Sequence, residues 1–153
     1  MTSEHLKQIL DTVRKQPDLQ PVKNDEGEVV KTFCNIGLDR ILKLCDKPRM
    51  INRVSGQPLM ANDMIECMEH SPSLWSEVNG EVACARASQG VLVVACQKAD
   101  GHGHVCCVYP MTEEFSSSWG KPVPMVSNIG KTVGVMRVSQ AFRTEPKYYS
   151  VHI

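Results

Sequence analysis

At Gly90 the apolar pattern of the chain changes period, and that change decides what it can fold into. Upstream, apolar side chains recur at helical spacing: Leu6, Ile9, Leu10 and Val13, then Ile36, Ile41, Leu42 and Cys45, then Met60, Met64, Ile65 and Met68. Downstream, "VLVVACQ" and "HGHVCCVYP" are short apolar runs of strand length, joined by "KADG" as a hairpin turn. "VPMVSN", "TVGVMRVS" and "KYYSVHI" read as further strands, with "MTEEFSSSWGKP" as an intervening loop. Helices first and strands second predict an α+β fold in which N-terminal helices pack on a C-terminal antiparallel β-sheet.

Punctuation agrees with the periods. Ser3 and Glu4 open a capped helix that runs to about residue 15, and "QPDLQPVKNDEGEVV" ends it with two prolines and an Asp-Glu-Gly turn. The helix in "CNIGLDRILKLC" stops before Pro48, and "MANDMIECMEH" forms another. "NGEVACARASQG" carries its alanines inward and ends at Gly90. A chain of 153 residues has material for one compact domain, so residues 1–153 are expected to form a single unit.

Charge excludes two classes of partner. Seventeen basic and seventeen acidic side chains cancel, and no basic stripe with interleaved aromatics exists, so nucleic acid is not expected as a partner. The longest apolar run, Gly90 to Cys96, is too short for membrane insertion. The opening "MTSEHLKQILDTVRKQ" is polar and charged, which predicts synthesis in the cytoplasm without a signal peptide. Seven cysteines, an odd number, do not suit a disulfide framework, and most sit in apolar contexts where a thiol packs as a small hydrophobe.

Cys34 stands apart from that crowd. In "KTFCNIGLDRIL" it falls where loop becomes helix, where free N–H groups and the helix dipole favour an anion. A thiolate there is expected to have a lowered pKa, and the same N–H groups suit the oxyanion of an acyl-transfer reaction. A nucleophilic cysteine needs an imidazole base and a polar group to hold it. "GHGHVCC" offers His102 and His104, which share a strand face with Cys106. Taken together those three resemble part of a metal site, but no Cys-x-x-Cys, no His-Glu-x-x-His and no clear fourth ligand accompany them, so neither a metal nor a cofactor is expected. His104 is the better base: the buried run "VCCVYP" anchors it, and Gly103 before it leaves space for a substrate. The orienting group is expected from "VPMVSNIG", with Asn128 ahead of Ser127, although asparagine before a glycine turn is also plain turn chemistry.

A cysteine opening a helix, a later hairpin carrying Gly-His-Val and a polar residue one strand on resemble the NlpC-type and CHAP-type cysteine peptidases, small papain-like hydrolases of the bacterial cell wall. Thr32-Phe33-Cys34-Asn35 with Asp39, the "MANDM" helix, the tryptophan of "LWSEV", "ACARASQGVLVVA" and "GHV" come in the order of small phage-lysin and interbacterial-toxin members, over roughly residues 31 to 142. The resemblance implies a papain-like catalytic domain in which Cys34 is the nucleophile, His104 the base and Asn128 the third residue, with Asn35, Asp39, Gly103 and Ser127 in support. Where many NlpC members have Cys-Ser-Gly, this chain has Cys34-Asn35. The implied substrates are peptidoglycan stem peptides or cross-links. The implied place of action is the periplasm or wall, after phage lysis or delivery by a secretion apparatus, with a cognate immunity protein as partner for a toxin. Two alternatives stay open: the same fold acting on another amide, as amidase or transferase, and a non-catalytic metal-binding module built on His102, His104 and Cys106.

Overall fold

A computed structural model describes residues 1–152. Helix α1 (Ser3–Arg14) is capped by the Thr2 hydroxyl, which accepts from the His5 N–H, so the cap lies one residue before the expected serine. Its stripe of Leu6, Ile9, Leu10 and Val13 is buried, as the spacing predicts. A short hairpin follows, β1 (Val22–Lys23) with β2 (Val29–Lys31), then α2 (Cys34–Leu44) and α3 (Ala61–Glu69). Met60, expected inside α3, is instead the residue before it and is mostly exposed; the helix begins one position later and turns that side chain to solvent.

Strand β3 (Trp75–Val78) and helix α4 (Gly80–Ser88) precede the sheet strands β4 (Val93–Gln97) and β5 (His104–Val108). The expected loop at 111–120 in fact contains β6 (Glu114–Ser116), hairpinned to β7 (Lys121–Val123). Strands β8 (Met125–Ile129) and β9 (Val133–Arg137), the single turn α5 (Val138–Ala141) and β10 (Lys147–Val151) complete the chain. The main sheet has six strands in the order β3-β10-β4-β5-β8-β9, and every neighbouring pair is antiparallel. The mixed α+β class and the antiparallel sheet therefore agree with the sequence reading.

The layering is fuller than helices on one face. Alternation along β5 sends Val105 and Cys107 into one apolar cluster with α1, α2 and α3, and sends Cys106 and Val108 into a second cluster with Ala83 and Ala87 of α4, Val138 and Phe142. Sheet strands thus have both sides covered, which explains why "VLVVAC" reads as continuously apolar instead of alternating. Gly90, where the period changes, has φ +84°, and a Cβ there would lie 2.1 Å from the Met1 carbonyl oxygen. Only glycine fits both demands at this corner.

Candidate active site

Helix α2 places Cys34. Its buried side, Leu38, Ile41 and Leu42, lies against the sheet, and Gly37 lets it come close to β8: a Cβ there would stand 2.6 Å from Ile129 Cδ1. Two side chains fix the ends of this arrangement. Asn35 Nδ2 donates to the Leu59 carbonyl at 3.0 Å, tying the start of α2 to the residues that lead into α3. Asp39 is buried and accepts from Arg49 Nε at 2.8 Å and Nη2 at 2.9 Å, a two-point pair that holds the loop after α2. Asp39 is committed to that ion pair and does not line the groove beside Cys34.

Strands β5 and β8 supply the imidazole. Their backbone pairing covers Val108↔Val126 and Cys107↔Ser127 and goes no further toward His104. Past that point a side-chain bond links the strands instead, His104 Nε2 to Asn128 Oδ1 at 2.7 Å. Asn128 is buried, and its Nδ2 donates to the Thr132 carbonyl at 2.8 Å, so its oxygen is the atom that faces the ring. An amide oxygen only accepts, so Nε2 carries the proton and Nδ1 keeps a lone pair. Phe142 packs on the ring with centroids 5.2 Å apart, and Gly130 leaves room for it: a Cβ there would lie 3.0 Å from His104 Cε1.

The Cys34 sulfur reaches the same seam from the α2 side. It lines a narrow gap with Val105, Ser127 and Ile129, and the Val105 N–H, one peptide bond from His104, faces it together with the N–H groups of Asn35 and Cys34 itself. Among the described residues no hydrogen bond joins the thiol to the imidazole; catalytic contacts of this kind often tighten only when substrate is bound.

Electrostatics correct one expectation. Burial pushes the Cys34 thiol above its ordinary value, and the three N–H groups that favour the thiolate do not overcome it. Burial likewise holds His104 below the ordinary imidazole value, against a smaller upward pull from Asn128. The resting pair is therefore a neutral thiol and a neutral imidazole. Other thiols are pushed higher, Cys45 to about 11 and Cys96 to about 12, again by burial.

Cys34 opens onto a groove of about 500 Å³, walled by β2, the starts of α2 and α3, the turn at 101–103 and Lys131. Gly103, expected to leave space for a substrate, lines the groove, and the direction its Cβ would take is occupied by protein: a Cβ there would meet Asn62 Oδ1 at 2.2 Å and the Gln97 carbonyl at 2.8 Å. Asn62, which the sequence reading passed over, bonds both backbone groups of Ala99 that it can reach and so fastens the β4–β5 turn to α3. Ser127 accepts from the buried Arg14 guanidinium at 2.9 Å and is turned away from His104. His102 lies exposed on the groove wall, whereas Cys106 is buried in the α4-side cluster. Among the described residues, no group of three His, Cys, Asp or Glu side chains is placed to hold a metal ion. No helix among them is long and apolar enough to cross a membrane. The chain matches no protein-family model, and no curated protein matches it.

Proposed function

We propose that the chain is a papain-like cysteine hydrolase that cleaves amide bonds of bacterial peptidoglycan, with Cys34 as nucleophile, His104 as base and Asn128 as its orienting partner. The observation that carries the reading is the Asn128–His104 bond, which frees Nδ1 of a half-buried imidazole one peptide bond from the amide facing Cys34. A helix-opening thiol on the floor of an open groove supports it.

In this reading Nδ1 takes the thiol proton as Sγ attacks the scissile carbonyl carbon. The N–H groups at the start of α2 meet the developing oxyanion. His104 returns the proton to the leaving amine, which departs and leaves a thioester on Cys34. Water then loses a proton to Nδ1 and attacks the thioester, and Cys34 leaves as a thiol when the proton comes back. The NlpC-type or CHAP-type family, the stem-peptide or cross-link bond, delivery to the wall and an immunity partner all belong to this proposal. They rest on the order of the motifs from Thr32 to Val105.

The test is mass spectrometry of purified peptidoglycan after incubation with the protein. New muropeptide fragments are expected with the native chain and none with Cys34→Ala, whose circular dichroism should stay native. An unchanged fragment pattern from native protein, or equal cleavage by Cys34→Ala, would refute the assignment.

A further inference from the structure

The groove wall is chemically one-sided. Lys31, Lys131 and His102 line it, together with Asn35 and Asn62, and no carboxylate among the described residues does. That contrasts with a chain whose acids and bases balance at seventeen each. Lys31 is partly occupied, with its ammonium 5.3 Å from the Phe33 ring. Lys131 is exposed and, like Lys15, Lys23 and Lys147, enters no ion pair among the described residues; what sets it apart from those three is that it lines the groove. Its position is specific as well. It follows Gly130, the residue packed against His104 Cε1, and it lines the same groove onto which Cys34 opens.

We infer that the groove selects a substrate bearing a free carboxylate next to the scissile amide, with Lys131 as the residue that reads it. The inference rests on the hydrolase reading of the same site. An unpaired ammonium on the wall of the groove that holds the nucleophile rewards an anion there and loses that interaction when the anion is replaced by a neutral amide of nearly the same shape. His102, on the neighbouring wall, offers a hydrogen bond to the same group without requiring it to be charged.

The test uses two stem tripeptides, alanyl-γ-D-glutamyl-diaminopimelate and its α-carboxamide counterpart, which differ only in carboxylate against carboxamide at the second residue. Affinity is measured by calorimetry on Cys34→Ala protein, where no turnover interferes, and cleavage is followed separately with native protein. The carboxylate form is expected to bind about tenfold more tightly, the size of one well-placed charged contact. Added as a second substitution, Lys131→Ala should bring that ratio near one, and Lys131→Glu should invert it. Equal affinities, a ratio that survives Lys131→Ala, or binding of neither peptide would overturn the inference. Preferential binding with no cleavage by the native chain would instead sink the hydrolase reading and leave the carboxylate site standing.

Discussion

His104 takes its chemistry from the atom that Asn128 leaves free. Because Asn128 Oδ1 accepts from Nε2, loss of the amide releases both the tautomer and the ring orientation while the imidazole itself remains. Asn128→Ala should therefore lower kcat by about tenfold to a hundredfold, less than His104→Ala, which removes a general base worth roughly a hundredfold to ten-thousandfold. Equal losses in single-turnover assays would point to another third residue. The pH profile carries an independent sign. Burial holds His104 below its ordinary value, so it stays neutral to lower pH than free imidazole does, and the acid limb of kcat/KM should lie below about pH 6.5. Asn128 pulls that value upward, so Asn128→Ala should move the limb to still lower pH; an upward move contradicts the tautomer argument. The same depressed value links to folding. Its contribution is fully present above the unfolded value near pH 6.5, and it is lost as pH falls through the folded one.

At the scale of elements, the close fit between α3 and the β4–β5 turn is a contact that a single methyl group would disturb. Gly103→Ala would drive a Cβ against both Asn62 Oδ1 and the Gln97 carbonyl, the second of which is backbone and cannot rotate away. A loss of about 1–3 kcal/mol is expected in urea denaturation, as for overpacking elsewhere; stability within a few tenths of the native chain would show that the turn yields freely. Such contacts mark the limit of what a sequence displays. The stripes of α1 and α2 were legible because periodicity is local, and so was the placing of Cys34 at a helix start and His104 and Asn128 on neighbouring strands. Strands β1, β2, β6 and β7 have two or three residues each, too few to show alternation. Trp75–Val78 was hidden for a different reason: its register is set by β10, some seventy residues away. Asn62 and the upward pull on the Cys34 thiol were not legible either, because each depends on which segments bury it after folding.

Across the whole molecule, the cysteines divide into reporters of separate places. Cys34, Cys45 and Cys67 are half-buried, and Cys84, Cys96, Cys106 and Cys107 are buried. Native protein should therefore yield at most three thiols to a small alkylating reagent, and all seven after denaturation, counted by intact mass. Cys106 and Cys107 sharpen the test because they are adjacent in the chain yet buried in opposite layers, one toward α4 and the other toward α1–α3. If the two layers unfolded independently, one of these thiols would become reactive at lower urea than the other. Strand β5 carries both, however, and is hydrogen-bonded to β4 on one side and β8 on the other, so neither layer can lose its contacts to β5 without exposing the strand that supports its opposite. The prediction is a single transition in which Cys106 and Cys107 become reactive together, read by peptide mapping of pulse-alkylated protein. Separate midpoints for the two would mean that the sheet survives the loss of one helical layer, and that the seam holding Cys34 and His104 opens before the rest of the fold.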